Sequence, residues 1–223
     1  MAARSFLSGL VLRYGAAVLL VNAMTGVAMA EPVRILALGD SLTAGYGLAA
    51  EAAFPARLEQ ALRAEGRDVH LVNAGVSGDT TAGGRARLDW ALAERPDVAI
   101  VELGANDGLR GLDPAVTQGN LEAILARLDK DGIAVLLTGM LAPPNYGAEY
   151  AQSFKAVFSR LAARHPVVFY PFFLDGVAGD PGLCQPDGLH PTAKGVDVIV
   201  ARILPSVRAV LDRRGRARTE VKP

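Results

Sequence analysis

The sequence predicts an α/β protein, a three-layer α/β/α sandwich around a five-stranded parallel sheet. Three observations predict it. Five short apolar runs alternate with longer helical stretches, the order that βαβ units produce. The runs are apolar almost throughout, with little polar alternation, so each strand is expected to be covered on both faces, as parallel strands are. Gly, Asp and Pro bound the runs and mark where strands give way to loops.

The first thirty residues stand apart from that pattern. Arg4 and Arg13 are the only charges before Glu31, the segment from Tyr14 to Met24 is mostly apolar, and Ala28-Met29-Ala30 has the small-x-small form of a cleavage site. Residues 1–30 are therefore expected to be a secretory signal peptide, and the chain to be exported to the periplasm or the medium. A membrane span needs roughly twenty consecutive apolar residues. Arg13 interrupts the run too early for that, so no stable membrane anchor is expected.

The strands are expected at 33–38, 69–73, 98–103, 133–138 and 167–170. Helical stretches fall at 52–65, 80–94, 114–130, 149–164 and 192–212. Asp113 before Pro114 fits an N-cap followed by proline at the first helical position. Arg85, Arg87, Asp89 and Glu94 alternate in sign and read as a solvated helix face. One domain over 31–212 follows, with 213–223, basic and broken by Gly215, expected as a disordered tail.

Composition narrows the class of function. With 51% apolar and 21% charged residues, the chain can bury a core and is not a disordered one. Lys and Arg total 23 against 23 acidic residues; without the two arginines of residues 1–30 the balance is 21 to 23. Neither balance offers an electrostatic footprint for nucleic acid. Cys184 is the single cysteine, so no intramolecular disulfide can form, and stability must come from packing. No adjacent cation would activate Cys184 as a nucleophile.

Ligands of open α/β sheets bind at the carboxyl ends of the strands. After the first strand comes Gly39-Asp40-Ser41-Leu42, after the second Asn73-Ala74-Gly75-Val76-Ser77-Gly78-Asp79, and after the third Gly104-Ala105-Asn106-Asp107-Gly108. A long loop after the fifth ends in Asp187-Gly188-Leu189-His190-Pro191. Four polar, glycine-bearing loops would thus meet at one rim. Ser41 there can act as a nucleophile if a base takes its proton. His190 suits that task near neutral pH, and Asp187, three residues earlier, can reach the other ring nitrogen. Pro191 is expected to restrict His190 and start the last helix. His70 falls inside the second strand and reads as packed; His165 precedes Pro166, far from the rim.

These four blocks, in this order, closely resemble the SGNH (GDSL) hydrolase family from Ile35 to His190. The stretches GDSLTAGYG, NAGVSGDTTAGG, VELGANDGLRG and DGLHP look most like its bacterial arylesterase, lysophospholipase and acyl-thioesterase group. The resemblance implies a flavodoxin-like hydrolase fold and a serine esterase acting on carboxylic (aryl, lysophospholipid or thio-) esters through an acyl-enzyme on Ser41. It implies an oxyanion hole made by the backbone N–H of Ser41 and Gly78 and the side-chain amide of Asn106. Gly75 and Gly78 compete on spacing alone, and the resemblance favours Gly78. Asp40 and Asp79 are expected to hold the loops by local hydrogen bonds.

Rival readings lack their motifs. A nucleotide or flavin binding module would want a phosphate loop, but Gly39 and Gly45 are one residue too far apart and Tyr46 stands at the lysine position. An ordinary α/β-hydrolase would carry G-x-S-x-G. Three scattered histidines form no metal-ligand pattern. No cofactor and no metal are expected, and the partner is a small-molecule ester or thioester, lipid included; nothing in the sequence signals an oligomeric state. The alternative within the enzyme class is a carbohydrate O-acetylesterase acting on envelope polysaccharide. Leu109, Leu112, Leu141, Pro143, Pro144 and Tyr146 argue against it, since they would give an apolar acyl pocket, with Leu109, Pro143 and Tyr146 as the substrate-binding choices. Gly108 and Gly111 flank Leu109-Arg110 and would permit a lid.

Overall fold

The computed structural model describes residues 31–220, with side chains through Gly215; the expected signal peptide lies outside them. Five strands form one sheet in the order β2-β1-β3-β4-β5: β1 (Val33–Gly39), β2 (Val69–Gly75), β3 (Val98–Glu102), β4 (Ala134–Thr138) and β5 (Val168–Tyr170). All neighbours pair in parallel, with Ile35 opposite Leu71 and Val98, and Gly39 opposite Gly75 and Glu102. The expected sheet is present because its central runs carry apolar side chains to both faces. All five residues of β3 are buried, as are Ile35 to Gly39 of β1.

Eight helices follow or connect the strands among the described residues: α1 (Ser41–Ala44), α2 (Phe54–Ala64), α3 (Thr81–Ala86), α4 (Leu88–Leu92), α5 (Ala105–Leu109), α6 (Pro114–Lys130), α7 (Ala148–Arg164) and α8 (Ala193–Glu220). α2 packs with α8, and α6 packs with both α3 and α7, giving the two outer layers. On α7 the buried side chains are Phe154, Val157, Phe158 and Leu161, the i, i+3, i+4, i+7 stripe of a helix with one apolar face. Each fully buried Phe or Leu of this kind contributes about 1.5–3 kcal/mol of transfer free energy. At α6, Asp113 accepts a hydrogen bond from Ala115 N–H at 2.8 Å, so the expected cap with Pro114 forms.

Four local expectations are corrected. The stretch 80–94 is two helices, broken at Arg87, whose side chain is only 17% exposed and turns inward instead of joining a solvated face. His70 is exposed, because β2 is an edge strand whose outer face alternates toward solvent. The last helix begins at Ala193, not Pro191; Thr192 precedes it and its hydroxyl accepts from Gly195 N–H at 3.2 Å. The last helix runs past its expected end at 212 to Glu220, with Arg213 donating to the Pro166 carbonyl and Arg214 to the Asp97 carboxylate at 2.5 Å.

The open side of β2 is closed by α2. Arg63 donates from Nε and Nη2 to the Val69 carbonyl, and Glu59 accepts from Leu71 N–H at 2.6 Å. Unpaired strand edges recruit other chains, and side chains that occupy them blunt that tendency. Cys184 is buried and its thiol donates to the Val177 carbonyl.

Candidate active site

β1 runs to one side into β2 and, through the pairing of β1 with β3, to the other side of the sheet. The carboxyl ends of β1 and β3 therefore form the topological switch point where α/β proteins place ligands. Ser41 opens α1 directly after β1, and Asn106 lies in α5 directly after β3. The turn into α1 is set by Asp40, which caps the helix by accepting from Leu42 N–H at 3.0 Å.

Ser41, His190 and Asp187 are brought together. Ser41 Oγ lies 2.9 Å from His190 Nε2, and His190 Nδ1 lies 2.7 Å from Asp187 Oδ2. Asp187 Oδ1 also accepts the backbone N–H groups of Leu189 and His190. The backbone and ring hydrogen bonds of His190, with that of Leu189, hold the Asp187 carboxyl down at about 2. An ionised carboxylate only accepts, so Nδ1 carries the proton and Nε2 is left to accept from the Ser41 hydroxyl. The His190 side chain is 18% exposed, and the ring of Tyr46 covers it at a centroid distance of 4.5 Å.

Ser41, Ser77, Gly78 and Asn106 all line one cleft of about 640 Å³ together with His190. Among the described residues the backbone N–H groups of Ser41 and Gly78 have no protein partner. Gly78 takes a φ of +85°, a conformation natural to glycine, and Arg110 Nη2 holds its carbonyl at 2.9 Å. The N–H of Gly75, unlike that of Gly78, is engaged within the protein, where it donates to Asn73 Oδ1. A Cβ on Gly75 would stand 2.3 Å from Ala44 N, so its smallness serves the packing of β2 against α1. The Asn106 amide donates to the Asp79 carbonyl at 2.9 Å and to Asp40 Oδ2 at 3.3 Å.

Two further carboxyl groups lie under this site. Burial pushes Asp40 up to about 6, against the opposing pull of the Leu42 N–H, of His190 and of the Asn106 amide. Burial raises Glu102 well above the usual carboxylate range, repulsion from Asp40 adds to that, and the Thr43 hydroxyl at 2.7 Å works against it. Glu102 was not foreseen: it sits inside an apolar run, and only its pairing opposite Gly39 reveals its place. Asp107, also buried, accepts Thr81 N–H and the hydroxyls of Thr81 and Thr117, anchoring the loop after β2 to α5 and α6.

The cleft wall is apolar. Leu109, Leu141, Pro143, Pro144, Phe172 and Leu174 contribute to it. Tyr146 does not: its hydroxyl donates to the Leu109 carbonyl at 3.0 Å, and its ring lies where a Cβ on Gly111 would be, so it buttresses the loop from outside. Tyr150 likewise donates to the Leu112 carbonyl at 2.8 Å. These bonds, with Gly108 inside α5, fasten the segment expected to be a hinged lid. Among the described residues no group of three or more His, Cys, Asp or Glu is placed to hold a metal ion, and no helix is long and apolar enough to cross a membrane.

Residues 37–198 match the GDSL-like Lipase/Acylhydrolase family. Esterase TesA of Pseudomonas aeruginosa is 42% identical over 178 residues, 79% of this chain and 89% of that one. The protein named thioesterase 1/protease 1/lysophospholipase L1 of Escherichia coli K12 is 41% identical over 158 residues, 70% of this chain and 74% of that one. The crystal structure of AlinE4, an SGNH-hydrolase family esterase, superposes with a TM-score of 0.69 at 48% identity, covering 82% of this chain and 99% of that one. With its match to the family spanning the sheet and all four rim loops, the chain belongs to the GDSL-like lipase/acylhydrolase family and is a carboxylic ester hydrolase.

Proposed function

We propose that the chain hydrolyses esters or thioesters of apolar acyl groups through an acyl-enzyme on Ser41. The observation that carries this is the continuous relay from Ser41 Oγ through His190 to Asp187, at 2.9 and 2.7 Å, opening into an apolar cleft. Ser41 Oγ attacks the carbonyl carbon while His190 Nε2 takes its proton, and Asp187 stabilises the imidazolium. The carbonyl oxygen becomes an oxyanion received by Ser41 N–H, Gly78 N–H and the Asn106 amide. Collapse breaks the bond to the alcohol or thiol, which leaves with the proton from His190. Water then repeats the sequence at the acyl carbon and frees the acid and Ser41.

The apolar wall favours an acyl chain over a sugar, since burial of methylene groups at about 0.8 kcal/mol each is what such a wall offers. A lysophospholipid and an acyl thioester both present that chain, in keeping with the name of the Escherichia coli relative, and an aryl ester of a longer acid does so too. Export follows from the cleavage pattern in residues 1–30. The test is kcat/KM across a chain-length series of p-nitrophenyl esters and the matching thioesters. Rates rising from the two-carbon acyl group to medium chains are expected; a preference confined to acetate would favour the carbohydrate O-acetylesterase instead.

A further inference from the structure

Resting on that catalytic reading, we propose that Arg87 is a positioning residue that holds the nucleophile turn and the oxyanion donors in one frame. Arg87 occupies the break between α3 and α4, and there its guanidinium turns into the protein. Nη2 donates to the Gly39 carbonyl at 2.8 Å, and Nε donates to Asp79 Oδ2 at 2.6 Å. Gly39 is the last residue of β1, followed at once by Asp40 and Ser41. Asp79 follows Gly78, and the Asp79 carbonyl receives the Asn106 amide at 2.9 Å. One planar group thus spans the backbone under the nucleophile and the residue on which two of the three oxyanion donors depend.

The chemistry of the contact suits positioning more than stability. Arg87 and Asp79 are 17% and 19% exposed, and a largely buried ion pair gains little net stability, because desolvating both charges offsets their attraction. What the guanidinium fork adds is direction, since two donors on one rigid plane fix the separation of their two acceptors. A lysine can meet either acceptor but not both along that plane. Without Arg87 the Asp79 carboxylate loses its partner, and Gly78 N–H and the Asn106 amide move with it. An error near 1 Å in such donors costs turnover while leaving the acyl cleft unchanged.

The test uses the full chain with a short-chain p-nitrophenyl ester and compares Arg87→Met, Arg87→Lys, Asn106→Ala and the Arg87→Met/Asn106→Ala double variant, with melting temperature as the check on folding. Arg87→Met is expected to lower kcat roughly 30- to 100-fold with KM within about twofold, and Arg87→Lys to fall between it and wild type. On the Asn106→Ala background the further loss should shrink to about threefold or less, because both changes damage the same hole. A folded Arg87→Met enzyme with wild-type kcat, a rise in KM alone, or a full multiplicative loss in the double variant overturns the proposal. If Arg87→Met does not fold, Arg87→Lys decides it: a kcat loss at constant KM supports the role, and unchanged kcat overturns it. Absence of turnover in the wild type would instead overturn the catalytic reading itself, so the two failures are distinct.

Discussion

Asn106 and Asp40 are joined by a long hydrogen bond, Nδ2 to Oδ2 at 3.3 Å, while the same nitrogen donates to the Asp79 carbonyl at 2.9 Å. An amide nitrogen has two hydrogens, so both are engaged before substrate arrives. The shorter bond fixes the side chain; the longer one is the bond that an oxyanion can take over. Asp40 and the Asp79 carbonyl thus hold the amide between the end of β1 and the loop after β2.

Asn106→Ala is accordingly expected to lower kcat by about 10²–10³ with KM nearly unchanged, since the amide bonds the transition state more than the ester. Steady-state kinetics with a short aryl ester measure it. A rise in KM with kcat intact would make Asn106 a substrate-binding residue.

The buried carboxyl beside it has a consequence for stability. Asp40 goes from about 3.8 unfolded to about 6 folded, so between those values the native state holds more protons than the unfolded one, and stability falls as pH rises through about 6. Asp40→Asn removes that charge while leaving an oxygen to cap Leu42 N–H. Its stability relative to wild type should therefore grow from about pH 4 and level off just above pH 6, by up to roughly 3 kcal/mol at 1.36 kcal/mol per pH unit. Removing the Asp40 charge also relieves the repulsion that raises Glu102, which adds to the gain as pH rises. Asp187 acts in the opposite sense and a lower window: its stabilising charge is lost as pH falls from about 4 toward 2. Urea unfolding at several pH values gives the result; a difference independent of pH would mean Asp40 is not strained by burial.

Leu109 lines the cleft and is 39% exposed. Leu109→Ala should weaken kcat/KM for an eight-carbon ester more than for acetate, by about 1–2 kcal/mol of differential burial. Equal losses for the two esters would assign Leu109 to the fold alone.

Gly75→Ala tests the contact between β2 and the nucleophile helix. Its Cβ would lie 2.3 Å from Ala44 N and 2.9 Å from the Asp40 carbonyl oxygen, both backbone atoms that cannot swing away. A loss of about 1–3 kcal/mol in stability and at least a tenfold drop in kcat are expected. Gly119→Ala, in α6 with nothing within 4 Å of the new Cβ, should instead stabilise by roughly 0.5–1 kcal/mol.

Much of this was legible in the sequence for a physical reason. Runs such as 98–103 must be buried on both faces, which specifies a parallel sheet, and the loops after such strands must meet at one rim. Ser41, His190 and Asp187 stood out because few residue types can perform proton transfer. What escaped was decided by tertiary partners. Arg87 reads as surface charge until Gly39 and Asp79 supply acceptors for it. Tyr46 reads as a loop aromatic until His190 arrives from 144 positions along the chain to lie beside it. The continuation of the last helix past 212 escaped because composition does not reveal Pro166 and Asp97, the partners of Arg213 and Arg214.

The central claim is that Ser41 forms the covalent intermediate. Ser77 lines the same cleft and is the natural competitor, so a fluorophosphonate probe followed by peptide mass spectrometry discriminates between them. One adduct per chain is expected, on the peptide containing Ser41, and absent from Ser41→Ala, which should keep its fold and lose activity by more than roughly a thousandfold. An adduct on Ser77, or an active enzyme that takes no adduct at all, would contradict the account.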